Sequence, residues 1–304
     1  MDIFLFNSKL NEDYLADLFI GEMLISDKID RIYTNHLPPY LFTDFNENRP
    51  LYGRGFTVFK KMDPKLKSRA TIIPHKDIPE FIRNKTADKI IYTSVHRRAF
   101  PENHHMADYF GLVSQAYNKK DIIVIDGEDY ETIKHNVAAE STYYKRELLK
   151  HQEDIANPIS FSFPRFHKKP KPVAKEYLLA PCDPRFRPSY KFDTEPQYYS
   201  QYSKALFAVT KKKGGWDCMR HYEILACNCL PYFVSIEEKP DTTMSTWPMD
   251  LQLAANHLYE RMSRSNIKDF DLYEWETLNA KFQKWFRAEG HSNIYLKVIN
   301  ESKT

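Results

Sequence analysis

Lys211-Lys212-Lys213-Gly214-Gly215-Trp216-Asp217-Cys218-Met219-Arg220-His221-Tyr222-Glu223-Ile224-Leu225-Ala226-Cys227-Asn228-Cys229-Leu230-Pro231-Tyr232-Phe233 decides how this chain is read. Three lysines, two glycines, Arg220, His221 and Glu223 stand ahead of the apolar run Ile224-Leu225-Ala226. A turn carrying cations and backbone amides that opens a helix is how proteins hold phosphates. The stretch leaves through Cys229-Leu230-Pro231-Tyr232-Phe233, which reads as a short buried strand. Loop, helix and strand in succession form half of a nucleotide-binding α/β unit. The pattern points to a phosphorylated small molecule, with a nucleotide-activated donor as the expected ligand. The plainer alternative is a solvated basic turn before a core helix. The crowding of Trp216, Asp217, Arg220, His221 and Glu223 against an apolar helix weighs against it.

Working outward, strand-like and helix-like stretches alternate. Ile3 to Phe6 is a short apolar run, followed at 13–25 by Leu15, Leu18, Phe19, Met23 and Leu24 at helical spacing, with Asn11 or Asp13 as cap. Strands are expected at 30–33 and 89–94, and a helix at 109–117. Asp121-Ile122-Ile123-Val124-Ile125-Asp126 carries four consecutive β-branched apolar residues, the pattern of a strand buried on both faces. The spacing predicts a helix over 143–152. Pro158, Pro164, Pro170 and Pro172 then arrive with His167-Lys168-Lys169, a basic, proline-rich joint. Beyond it, strands are expected at 177–180 and 206–209, and helices at 197–206, 251–262 and 273–288. Two α/β halves about such a joint suggest two Rossmann-like domains facing a cleft. The expected divisions are 1–165, 173–285 and a C-terminal segment, 286–304, returning toward the first.

The composition bounds the function. The 304 residues are 28% charged and 42% hydrophobic, which describes a globular chain. A net charge of +3 argues against a dedicated nucleic-acid binder. The four cysteines lack the paired spacing of a zinc site, and reduced buried thiols are expected. The N-terminus reads as a first strand rather than a signal peptide, and no apolar stretch is long enough for a membrane span. A soluble, cytoplasmic protein is expected. With only 8 glycines in the chain, the Gly214-Gly215 pair stands out; it would let backbone approach a ligand. Lys212 and Lys213 would meet phosphate charge, Arg220 would bind it bidentately, and Glu223 would accept ribose hydroxyls. His221 and Tyr222, between them, complete the donor-site candidates.

Gly-Trp-Asp-Cys-Met-Arg-His-Tyr-Glu-Ile-Leu-Ala, ending in Leu-Pro-Tyr-Phe, resembles the donor-domain signature of a group of GT-B glycosyltransferases. That group occurs in large DNA viruses of algae and amoebae and in microbes, and is distantly similar to exostosin-type enzymes. Leu-Tyr-Gly-Arg-Gly-Phe-Thr at 51–57, Asp-Gly-Glu-Asp at 126–129, Tyr-Tyr-Lys-Arg-Glu-Leu at 143–148, Pro-Ile-Ser-Phe-Ser at 158–162 and Asp-Pro-Arg-Phe-Arg at 183–187 resemble segments of the same proteins in the same order. The resemblance implies two Rossmann-like domains and a nucleoside diphosphate sugar held mainly by the C-terminal one. It also implies transfer without an obligatory metal or other cofactor, in the host cytoplasm if the protein is viral. Arg185, Arg187, Lys213, Arg220 and Glu223 become the donor-site candidates it supports. Many retaining members carry two glutamates eight residues apart. Glu223 matches the second, but the position eight earlier is Gly215, so the first glutamate's role is not carried over.

Three further constellations complete the expected site. Asp126, in Asp126-Gly127-Glu128-Asp129, sits at the carboxyl end of a strand, where a base for an inverting transfer would lie. The same residues serve equally as a strand-ending turn. Tyr52 and Arg54, with Asp17 near a helix start, are candidates for binding the acceptor, against the alternative of a turn with a surface arginine. His96, after a predicted strand, is the alternative base, while His104-His105 reads as surface. The expected function is transfer of a sugar to a hydroxyl of a glycan. A non-catalytic module binding nucleotides or glycans on the same fold is the alternative from another class.

Overall fold

Ile122 to Asp126 is buried at every position, so the strand must be covered on both faces, and the fold is arranged around that requirement. The structure is a computed structural model; it describes residues 1–7, 13–46, 58–94, 105–264 and 272–301. The first part runs β1 (Asp2–Phe6), α1 (Tyr14–Ile25), β2 (Arg31–Thr34), β3 (Ala70–Ile72), α2 (Ile78–Arg83), β4 (Lys89–Tyr92), α3 (His105–Ala116), β5 (Ile122–Asp126), α4 (His135–Ala139), β6 (Thr142–Lys145) and β7 (Asn157–Pro158). These strands form a seven-stranded sheet in the order β3-β2-β1-β4-β5-β6-β7. Every pairing is parallel. The order reverses between β1 and β4, the Rossmann-like switch point beside which open α/β sheets bind ligands.

Alternation along the strands separates two apolar layers. Ile3, Leu5, Ile91, Ile123 and Ile125 face a layer with α1, while Phe4, Phe6, Ile90, Ile122 and Val124 face α2 and α3. Asp13 caps α1, its carboxylate accepting from the Leu15 and Ala16 amides at 2.9 and 3.2 Å.

The second part runs β8 (Tyr177–Leu179), α5 (Glu195–Ser203), β9 (Ala205–Thr210), α6 (Met219–Ala226), β10 (Leu230–Phe233), α7 (Met249–Arg264), α8 (Leu272–Ala288) and α9 (Tyr295–Glu301). Its sheet has three parallel strands in the order β10-β9-β8. β9 is buried throughout. Thr194 forms a capping box with Gln197 at the start of α5. One apolar cluster runs from the α1 side of the larger sheet into Leu206, Phe207, Leu225 and Phe282 of this part. The last helix lies against α1: the Phe19 and Tyr295 rings are 5.7 Å apart, and Tyr295 donates to the Ser160 carbonyl at 3.1 Å. No described helix is long and apolar enough to cross a membrane.

The helix expected over 143–152 is not formed. β6 occupies Thr142–Lys145, followed by a turn and a short 3-10 helix at Lys150–Gln152. Tyr143 and Tyr144 enter the two opposite apolar layers, as successive strand residues must. The charges at 145–147, which look like a helix's wet face, are instead buried: Lys145, Arg146 and Glu147 are 0%, 1% and 3% exposed. Lys145 pairs with Asp126 at the end of β5 and Arg146 with Asp129 just beyond it, while Arg146 and Glu147 also pair with each other.

Candidate functional site

A cavity of about 940 Å³ lies where the carboxyl ends of the two sheets meet. From the larger sheet it takes Tyr14 after β1, Asp129 after β5 and Phe161 after β7. From the smaller it takes Arg187 and Tyr190 after β8, and Lys213, Asp217, Cys218, Arg220 and Glu223 after β9. Ligands of open α/β sheets gather at such strand ends, because each strand there releases a loop that the rigid sheet holds in place.

Arg220, on the first turn of α6, dominates the chemistry. It is 7% exposed, lines the cavity and forms no ion pair among the described residues, and its Nη1 has no hydrogen-bond partner there. An uncompensated guanidinium at that depth is costly unless an anion joins it. Lys213 adds a second cation, solvent-exposed at the cavity wall; partial desolvation, and then the Arg220 charge, pull its ammonium below the usual value. Arg187 adds a third from the far wall, exposed to solvent. Glu223 is buried and accepts from the Tyr198 hydroxyl at 2.5 Å. Burial, reinforced by the Glu223 charge, lifts the Tyr198 phenol well above its ordinary range, so it remains a donor.

Two buried carboxylates stitch the 214–217 turn to the larger sheet. Glu147, just beyond β6, accepts from the Trp216 and Asp217 amides at 2.9 and 3.1 Å and from Arg146 Nη1 at 2.7 Å. Asp217 returns the contact, its Oδ2 accepting from the Phe161 amide at 2.6 Å. Arg146 fills the seam: it donates to the Gly127 carbonyl at 3.0 Å, pairs with Asp129, donates to the Asp217 carbonyl and lies 4.7 Å from the Phe161 ring centre. Burial pushes the Asp217 carboxyl up to about 7, against the nearby Arg146 charge; its Oδ1 has no hydrogen bond among the described residues. The glycines acquire a specific role here. A Cβ on Gly214 would stand 2.6 Å from Asp129 Cγ, and one on Gly215 2.6 Å from Glu147 Cδ. Bare backbone is what lets the turn reach these acids.

The structure therefore brings together Arg187, Lys213, Arg220 and Glu223 of the expected donor site. The remaining candidates lie elsewhere. Arg185 turns back on Asp183, its Nη2 2.6 Å from the carboxylate. Lys212 is exposed, with its Nζ 5.2 Å from the Trp216 ring centre. His221 is wholly buried: one ring nitrogen is 2.8 Å from the Thr210 hydroxyl, the other 2.8 Å from the Trp216 carbonyl. Burial pulls it to about 4, so it is neutral and braces the turn. Tyr222 is buried edge-on against Trp247. Asp17 accepts from Tyr40 at 3.1 and 3.2 Å, within the α1 layer.

Asp126 sits beneath the cavity rather than in its lining. It is 2% exposed and accepts from Tyr143 at 2.5 Å, Lys145 at 3.1 Å and the Glu128 amide at 3.0 Å. That is the environment of a satisfied structural carboxylate, the turn-forming alternative to a base. His96, Tyr52 and Arg54 lie outside the described residues. The cavity residues that sequence reasoning missed are Tyr14, Asp129, Phe161, Tyr190, Tyr198 and Asp217 as wall residues, with Arg146 and Glu147 behind them. A glycine pair in a glycine-poor chain was the one local sign that something approaches closely there.

No protein-family model matches the sequence, and no curated protein matches it either.

Proposed function

We propose that the chain is a glycosyltransferase of GT-B arrangement, moving a sugar from a nucleoside diphosphate sugar to a hydroxyl of a glycan. The observation that carries this reading is the buried Arg220 guanidinium, with no ion pair and an unbonded Nη1 among the described residues, in a large cavity at the carboxyl ends of two parallel sheets. A diphosphate supplies the missing counter-charge. Arg220 and Lys213 would hold it from the start of α6, and Arg187 from the opposite wall. As the sugar–phosphate bond breaks, charge grows on the leaving diphosphate, and cations already held in place stabilise it most at that moment. Glu223, already held by Tyr198, would take a ribose hydroxyl. Tyr14, Phe161 and Tyr190 offer ring faces and edges to base or sugar.

A second reading is favoured by one specific observation. Asp126 is sealed under Tyr143 and Lys145, so the expected base does not reach the cavity. A non-catalytic module binding nucleoside diphosphates would need no base. Transfer in which the leaving phosphate itself takes the acceptor proton needs none either.

The test is calorimetric titration of UDP and GDP into the native protein and into Arg220→Ala. We expect binding to weaken by roughly tenfold to a hundredfold in the variant, the scale of a charge-assisted hydrogen bond lost. Equal affinities would remove the anion site from this cavity. Release of free sugar from a nucleotide sugar, or transfer to an added glycan, decides between enzyme and binding module.

A further inference from the structure

Four thiols are present, and they divide sharply by environment. Cys182, Cys227 and Cys229 are 0%, 2% and 0% exposed. Burial pushes the Cys182 thiol up to about 11 and raises the other two further. Cys218 alone is partly exposed, and it lines the cavity. It occupies the N-cap position of the eight-residue helix α6, yet its side chain makes no capping hydrogen bond. Among the described residues its Sγ has one hydrogen-bonding neighbour, His221 Nδ1 at 3.8 Å, and that nitrogen is also engaged by Thr210. Two residues on stands Arg220, nine-tenths buried, its Nη1 without a hydrogen-bond partner among the described residues, and part of the same lining. Accessible thiols react ahead of buried ones, because an oxidant must reach the sulfur.

We propose that Cys218 is a peroxide-modification site built into the anion cavity, and that its oxidation closes the cavity to ligand. Sγ attacks one peroxide oxygen, an S–O bond forms and the O–O bond breaks. The departing oxygen takes the thiol proton and leaves as water. Sulfur is oxidised by two electrons and the peroxide is reduced by the same two. The new sulfenic oxygen, an acceptor, enters the cavity that Arg220 also lines and competes for the guanidinium that a diphosphate would use. The modification site itself needs only the thiol's placement; its effect on binding rests on the proposed anion-site reading.

The full chain is treated with hydrogen peroxide, trapped with dimedone and peptide-mapped by mass spectrometry, with parallel samples carrying pyrophosphate. We expect the adduct on Cys218 to form at least roughly tenfold faster than on the three buried thiols, and pyrophosphate to slow it. Calorimetry before and after peroxide should show a loss of pyrophosphate affinity in the native chain. In Cys218→Ser and Cys218→Ala the ratio of the two affinities should return to one. Comparable labelling of the buried thiols, or no adduct on Cys218, overturns the proposal. So does unchanged affinity in a protein fully oxidised at Cys218. Selective labelling in a protein that never binds pyrophosphate upholds the modification site and removes the anion-site reading instead.

Discussion

Replacing Asp217 by Asn isolates the electrostatics of the seam between the two sheets. The carboxyl is wholly buried, and burial lifts it to about 7 despite Arg146, whereas in the unfolded chain it titrates near ~3.9. Between those values the folded protein binds more protons than the unfolded one, so stability falls as pH rises through the window. The slope is about 1.4 kcal/mol per pH unit, giving about 3 kcal/mol between pH 5 and neutrality and about 4 kcal/mol across the whole window. The charged and titratable groups around the carboxyl include Arg146, His221, Glu147, Tyr222, Lys239 and Tyr295. His221 and His291, both pulled to about 4 by burial, act in the opposite direction: neutral in the fold, they add stability as pH rises toward the ordinary histidine range. The native profile alone therefore mixes opposing slopes. Asp217→Asn keeps an oxygen for the Phe161 amide and leaves both histidines in place, so the difference between variant and native profiles reports Asp217. Urea unfolding at pH 5 and pH 8 should show the variant gaining about 3 kcal/mol on the native protein over that interval. A constant difference would mean the carboxyl is not perturbed by burial. A difference of opposite sign would mean the Arg146 charge outweighs desolvation, and would refute the reasoning.

Gly215→Ala places a methyl against the Glu147 carboxylate; we expect about 1–3 kcal/mol of destabilisation by chemical denaturation, and weaker nucleotide binding because the 214–217 turn must withdraw. Asp126→Asn leaves the Lys145 charge buried without its partner, so unfolding should become easier by about 3–5 kcal/mol, while the folded fraction keeps its nucleotide affinity by calorimetry; a lost affinity at full folding would return Asp126 to the binding machinery. Lys213→Ala should weaken diphosphate binding, whereas Lys212→Ala, exposed beside Trp216, should leave it within a factor of about 2; equal losses in the two titrations would contradict the assignment of Lys213 alone to the cavity.

The parallel α/β character was legible residue by residue. Ile122-Ile123-Val124-Ile125 cannot present a wet face, and it became a strand covered on both sides. Leu15, Leu18, Phe19 and Met23 keep helical spacing, and Asp13 caps that helix. At 143–152 the reading failed because Lys145 pairs with Asp126, Arg146 with Asp129 and Glu147, and Glu147 accepts from the distant Trp216 and Asp217 amides, and a charged triplet looks solvent-facing when those partners are unseen.

The chemistry divides in the same way. By itself the sequence determined that the 211–223 run carries a helix start, cations and a carboxylate, because those properties belong to residue types and to the backbone that follows them. Only the tertiary structure decided which of them face a common space. Arg220 and His221 are neighbours in sequence and both buried, yet one lines the cavity with its Nη1 unbonded among the described residues and the other is consumed by Thr210 and Trp216. The reason is geometric. Successive positions on a helix point about 100° apart, so one side chain meets Thr210 of β9 and the Trp216 carbonyl while its neighbour turns into the cavity, and residue type alone does not say which.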